Sequence, residues 1–260
     1  MPKSSDARGD SAVMPVAYTR FYAELNDYLP APKRYVRFPR DFDHPCTVRE
    51  FIRGEGIPPA EVDLVLVNGL STDLSQLVTN GDHVSVYPVF ETFYIGALQR
   101  IRSRPLRRPR FVLDVHLGKL SSLMRMLGID TLYSNSYTDE EILAISLDQG
   151  RTVLSKDRGL LRDETLTRGY HVREKHPQLQ IREVVERFDL RESVAPFTRC
   201  LRCNTLLESV PKDEIVAQLP PRVRETFVDF WRCATCARLF WQGSHYERMT
   251  AFILHLTRKT

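Results

Sequence analysis

Residues 111–133 read "FVLDVHLGKLSSLMRMLGIDTLY", and the spacing of their apolar residues decides the fold class. Phe111, Val112 and Leu113 form a short apolar strand that stops at Asp114. Leu117, Leu120, Leu123, Met124 and Leu127 then recur at helical spacing, and Gly128 closes that helix. "IDTLY" is strand-like again, so the stretch is a strand–helix–strand unit. The pattern continues with an acidic-headed helix, "TDEEILAISLDQG" (138–150), and a strand, "RTVLSKD" (151–157). "GYHVRE" (169–174) adds a strand and "LQIREVVERFDL" (179–190) a helix. Strands alternating with helices predict the α/β class, a parallel sheet flanked by helices.

In such sheets the working groups collect at the carboxyl ends of the strands. Two strands here end in aspartate, Asp114 and Asp157, and the helix between them opens with Asp139, Glu140 and Glu141. Right-handed crossovers bring both strand ends and that helix start to one edge. Each acid also has a plainer explanation. Acids suit the first turn of a helix, and Asp114 or Asp157 could cap the helix that follows. Converging carboxylates repel, however, and they persist where a hard divalent cation neutralises them. Magnesium or manganese held by two or three aspartates is an apparatus for phosphodiester hydrolysis.

These residues resemble the PIN-like predicted RNase family of the Mut-seven C-terminal domain. The resemblance rests on an aspartate before "LGKL", an R-x-LG-x-DT motif, the acidic helix start and a strand ending in Ser-Lys-Asp-Arg; it covers roughly residues 111–240. It implies Asp114 and Asp157 as metal ligands, with Asp139 or Glu140 as the third, and Asp163 as a weaker fourth acid. The family's usual "LTRD" stands here as Leu154, Ser155, Lys156 and Asp157. Serine keeps a hydroxyl and lysine a charge, but lysine lacks the arginine fork for a bidentate phosphate contact. His116 has no role in this reading and is expected to be a surface or packing residue.

Upstream, "VAYTRFYAELNDYLP" (16–30) and "KRYVRFP" (33–39) each offer a strand. "TVREFIRGEGIP" (47–58) begins with a capping box, Thr47 followed by Glu50. "VDLVLVNG" (62–69) and "NGDHVSVYPVF" (80–90) are strands punctuated by Asn-Gly turns. The order ββαββ suits a ubiquitin-like β-grasp domain and resembles its sulfur-carrier branch. Sulfur carriers end in a free Gly-Gly, whereas this chain runs on, so a docking module with a protein partner is expected. A ubiquitin-like domain ahead of the nuclease also resembles members of the RNase family.

Residues 99–110, "QRIRSRPLRRPR", hold Arg100, Arg102, Arg104, Arg107, Arg108 and Arg110, and two prolines bar a regular helix. The segment reads as a solvated tether or as a phosphate-contacting arm that gives affinity without sequence specificity. Lys156 and Arg158 are further RNA-binding candidates. The charge is uneven: residues 1–91 hold 9 Lys/Arg against 13 Asp/Glu, residues 92–110 six arginines and no acid, and residues 111–260 hold 22 basic against 20 acidic.

Cys200, Cys203, Cys233 and Cys236 form two C-x2-C pairs 29 residues apart. Four thiolates in two tight pairs suit a tetrahedral structural zinc with no open position. Cys46 is left over. Phe230, Trp231, Phe240, Trp241 and Tyr246 alternate with Arg232, Arg238 and Arg248; they form either the small core of a zinc ribbon or a stacking surface for single-stranded RNA. The intervening residues 210–230 read as a helical insertion.

Composition completes the bounds. Hydrophobic residues at 42% and charged residues at 27% describe a globular protein, and no apolar run is long enough to cross a bilayer. The expected layout is a disordered leader (1–15), a β-grasp domain (16–92), an Arg-rich linker (93–110), a PIN-like nuclease domain (111–195) and a zinc-ribbon module (196–260). The N-terminal segment lacks a secretory pattern, so a cytoplasmic location follows as an expectation. The expected function is a Mg- or Mn-dependent RNase, a hydrolase acting on RNA, with tRNA and ribosome-associated RNA as candidate partners and no membrane role. The alternative is a non-catalytic RNA- or ribosome-binding protein on a PIN scaffold.

Overall fold

A computed structural model of the chain describes residues 14–88, 100–101 and 110–258. Arg102, Arg104, Arg107 and Arg108, most of the expected leader and the last two residues lie outside them. The chain divides into two compact units, described separately below.

The first unit contains β1 (Val16–Phe21), β2 (Phe38–Asp41), β3 (Cys46–Thr47), α1 (Val48–Gly54), β4 (Val62–Val67), β5 (Leu70–Thr72), β6 (Leu77–Val78) and β7 (His83–Pro88). Its main sheet runs β2-β1-β7-β4-β5, with β1 and β7 parallel and the other pairs antiparallel. This is the ubiquitin-like mixed sheet. The predicted capping box starts α1: Thr47 Oγ1 accepts from the Glu50 amide at 3.3 Å, and the Glu50 carboxylate accepts from the Thr47 amide at 2.8 Å. Asn68 (φ 52°) and Gly69 (φ 83°) make the tight turn from β4 to β5, a conformation that needs positive φ at both positions. Phe21, Leu25, Phe51, Ile52 and Ile57 are fully buried between sheet and helix.

The second unit begins with β8 (Phe111–Leu113), α2 (Gly118–Met126), β9 (Thr131–Leu132), α3 (Asp139–Gln149), β10 (Thr152–Ser155), α4 (Arg158–Leu161), β11 (Gly169–His171) and α5 (Pro177–Arg187). The sheet order is β11-β10-β8-β9, and every pair is parallel. From β8 the chain first crosses to β9 on one side, then returns past β8 to β10 on the other. The order therefore reverses between β8 and β10, a topological switch point, and Asp114 and Asp157 follow the two strands that flank it. Every residue of β8 and β10 is buried.

The C-terminal part holds β12 (Leu207–Ser209), α6 (Lys212–Ile215), α7 (Pro221–Thr226), β13 (Trp231–Cys233), β14 (Leu239–Phe240) and α8 (Tyr246–Thr257). β12, β13 and β14 form an antiparallel ribbon. The predicted helical insertion is two short helices, broken where Pro220 and Pro221 remove amide donors. Val210, Ile215, Leu219 and Phe230 make a small core of their own. α8 behaves differently: its Ile253 and Leu256 join the core of the parallel sheet, with Phe111, Leu113, Leu154 and Val184. No helix among the described residues is long and apolar enough to cross a membrane.

Candidate functional site

Three elements deliver acids to the carboxyl edge of the parallel sheet. Asp114 follows β8 and is buried, with 3% of its surface exposed. One oxygen accepts from the His116 amide at 2.8 Å, which caps a 3-10 turn; the other accepts from the Lys156 amide at 2.6 Å and from the Ser155 hydroxyl. Asp157 is exposed at the head of α4, where Oδ1 accepts from the Gly159 amide at 2.6 Å. The capping reading therefore holds for both aspartates. A cap leaves each carboxylate with further lone pairs for a ligand.

Asp139 stands differently. The N-cap of α3 is Thr138, whose hydroxyl accepts from the Glu141 amide at 3.2 Å while Glu141 answers the Thr138 amide at 2.8 Å. Capping is complete without Asp139. Its carboxyl pKa is raised, first by what burial it has, then by repulsion from Asp157, Glu140 and Asp114, with His116 opposing. Asp139 thus lies within electrostatic reach of both strand-end aspartates. Glu140 is fully exposed, and hydrogen bonds from its own amide and from Thr138 lower its pKa.

The neighbouring candidates are placed as follows. The Lys156 ammonium donates to the carbonyls of Arg173 (3.2 Å) and Glu174 (2.5 Å), strapping the end of β10 to the end of β11. Arg158 opens α4 beside Asp157. Asp163 accepts from the Thr165 amide and hydroxyl at 2.8 and 2.6 Å, so it serves its own turn. Arg110 reaches the Gln149 carbonyl at the C-terminus of α3, on the sheet edge opposite the acids. Arg100 lies close enough to Asp73 to lower its pKa slightly.

Two histidines at this edge carried no signal in the sequence. His116 Nδ1 is 3.5 Å from Asp114 Oδ1, brought there by the 3-10 turn that Asp114 caps. His171 is paired in register with Ser155; burial, with Arg158 and Arg173, pushes its pKa down to about 4, so the imidazole is neutral.

The four cysteines converge. Cys200, Cys203, Cys233 and Cys236 each present a sulfur within 4.8 Å of the others, and Cys200 Sγ lies 3.7 Å from Cys236 Sγ. Among the described residues they are the one group of three or more Cys, His, Asp or Glu gathered closely enough for a single ion. Crowding divides their acidities. The Arg238 amide brings Cys236 down to about 7, while desolvation and then the neighbouring thiols push Cys203 up to about 12. Four sulfurs at this spacing fit a tetrahedral cation, which alone would let all four ionise together.

The R-x-LG-x-DT motif joins the two parts of this unit. Arg125 is buried and donates to the carbonyls of Thr131 (2.9 Å), Leu201 (3.0 Å) and Arg202 (2.8 Å), the last two inside the first cysteine knuckle. Asp130 Oδ1 accepts from Arg151 (2.7 Å) and Asn204 (2.8 Å), while Asn204 Oδ1 accepts from the Thr131 amide (2.9 Å). Gly128, at φ 81°, lies against the chain at Ala195, where an added Cβ would come within 2.1 Å of the carbonyl oxygen.

Neither a curated protein nor a solved structure matches the chain. Family profiles do. Residues 14–94 match the Mut7-C ubiquitin profile, and residues 109–253 match the Mut7-C RNAse domain, a span that takes in sheet, latch and cysteine ribbon together. That match covers more than half of the chain, which therefore belongs to the Mut7-C RNAse domain family.

Proposed function

We infer that the chain is a divalent-metal-dependent ribonuclease that hydrolyses RNA phosphodiesters at the carboxyl edge of the parallel sheet. The observation that carries this reading is Asp139. It does not cap α3, and its carboxyl pKa is raised by burial first and then by Asp157, Glu140 and Asp114, so it stands near two carboxylates whose positions other elements fix. Asp114 and Asp157 each cap a turn, but Asp139 adds a third carboxylate within their electrostatic reach. A hard cation with oxygen ligands would offset that charge by drawing in three acids that stand farther apart here than one ion's ligands.

Asp114, Asp157 and Asp139 would hold the ion, with Glu140 at the exposed margin. Mg²⁺ or Mn²⁺ bound there supplies water activation and charge neutralisation at the phosphate. The chain's own part is orientation. Ser155, the Lys156 amide and the His116 amide fix the Asp114 carboxylate, and the turn into α4 fixes Asp157. Arg158, the remaining N–H of Lys156 and the Arg-rich segment from Arg100 to Arg110 supply positive charge for the RNA backbone. Cys200, Cys203, Cys233 and Cys236 would hold one structural zinc, a closed site without a position for water. The ubiquitin-like unit is read as the docking site of a protein partner.

The test is Asp157→Asn. The purified chain is expected to cut RNA with Mg²⁺ or Mn²⁺ and not with chelator, and the variant to fall to background with an unchanged melting curve. A variant that cuts as well as the parent sinks the reading. Total absence of cleavage with either ion would leave the RNA-binding alternative.

A further inference from the structure

The aromatic residues around the ribbon do not all serve its core. Phe230 is buried there, but Trp231, Phe240, Trp241 and Tyr246 are only half-buried. With Phe197 and Met249 they line a cleft of about 520 Å³ between the ribbon and α8. A second cleft of about 310 Å³ adjoins it, sharing Phe240, Trp241, Tyr246 and Met249 as its wall and adding His245.

Local structure holds these rings in place. Trp231 and Phe240 are cross-strand partners, so both side chains stand on one face of the hairpin. Gly243 turns the chain from β14 into α8; its amide donates to the Trp241 carbonyl at 2.9 Å, and the Tyr246 amide donates to the Gly243 carbonyl at 2.8 Å. Phe197 is held at φ 60°, a conformation rare for a bulky side chain, and its ring lies 4.8 Å from that of Tyr246. Its amide is anchored on the Met126 carbonyl at 2.9 Å.

Charge says what these clefts suit. Residues 111–195 carry 12 Lys/Arg against 14 Asp/Glu, net −2, so little of the attraction for a polyanion comes from there. Residues 196–260 carry 10 against 6, net +4. Arg199 lines the larger cleft but is committed to the Gly128 and Asn204 carbonyls and to Asp130, so the attraction is the module's overall charge. Half-buried rings within a basic module are the elements that stack unpaired bases while cations meet the backbone. A volume of this order matches small-ligand sites and admits a base with its sugar.

We propose that the paired clefts between the ribbon and α8 bind successive unstacked bases of single-stranded RNA, with Phe240, Trp241 and Tyr246 as the wall between them. The proposal rests on the ribonuclease reading for its ligand class, and it selects unpaired RNA over duplex.

The chain's two tryptophans are Trp231 and Trp241, so fluorescence excited selectively at tryptophan rather than tyrosine reports on this cleft. The full chain carrying Asp157→Asn is titrated with a single-stranded RNA of about 12 nucleotides and with the same sequence as a duplex. The single strand is expected to quench the tryptophans, and the duplex to bind without doing so. Tyr246→Leu and Phe240→Leu are each expected to weaken the quenching isotherm about tenfold, with zinc content and melting curve showing that the ribbon stays folded. No quenching by single-stranded RNA, or equal quenching by duplex, overturns the proposal. Quenching without cleavage by the parent chain sinks the ribonuclease reading alone. Cleavage without quenching sinks the clefts alone.

Discussion

Asp114 and Asp157 accept backbone hydrogen bonds, while Asp139 meets desolvation first and then repulsion from its acidic neighbours. Its folded-state pKa lies above the unfolded value. Its contribution is therefore favourable in acid and becomes a cost as pH rises through the folded value. Asp139→Asn removes that cost. At neutral pH with no Mg²⁺ or Mn²⁺ added, the variant is expected to melt above the parent, and with either ion added to cut no RNA; scanning calorimetry reads the first and a cleavage assay the second. A lower melting temperature would mean that Asp139 contributes to the fold rather than to an ion. Asp114 is held by the fold itself: its buried carboxylate answers three donors, so Asp114→Ala strands them and costs about 2–4 kcal/mol by denaturant titration.

At the scale of elements, the latch between α2 and the cysteine knuckle sets the unit's mechanics. Arg125→Met keeps the apolar stem but deprives the buried carbonyls of Leu201 and Arg202 of their donor. It is expected to cost about 3 kcal/mol and to speed zinc loss to a chelator, measured by dye competition. Unchanged zinc release would separate the knuckle from the latch. The elements legible in advance were those written in local chemistry. Thr47 and Glu50 announced a capping box, Asn68-Gly69 a hairpin, and the apolar runs before Asp114 and Asp157 the central strands. The resemblance picked out Arg125, Gly128 and Asp130 as a motif, but their partners lie some 70 residues away at Ala195, Arg199, Leu201 and Asn204, which no local pattern encodes. His171 was silent for a like reason: its register partner Ser155 and the nearby Arg158 belong to other elements. His116 sits two residues from Asp114, but no local pattern says that the turn brings its ring to 3.5 Å from Oδ1. The aromatic stripe was legible as chemistry, but not how it divides between a buried Phe230 and the half-buried rings of the cleft.

Across the whole molecule, charge and metal set the expected behaviour. Removing Arg107 and Arg108 together, as glutamines, is expected to weaken binding to all single-stranded sequences alike and to lower the log–log salt slope by about 1.4. Filter binding across a salt series checks it, and a sequence-dependent loss would mean base contacts instead. Chelation is expected to release about one zinc per chain and to lower the melting temperature of the nuclease sheet along with that of the ribbon. The reason is α8: its Ile253 and Leu256 are buried in the same core as Phe111 and Leu154. That return of the chain also orders events in time. Synthesis runs from the N-terminus, so the parallel sheet leaves the ribosome well before residues 246–257 do. Until they emerge the sheet lacks the helix that closes its core, and a nascent chain still tethered to its own messenger carries its sheet-edge acids on an unfinished scaffold.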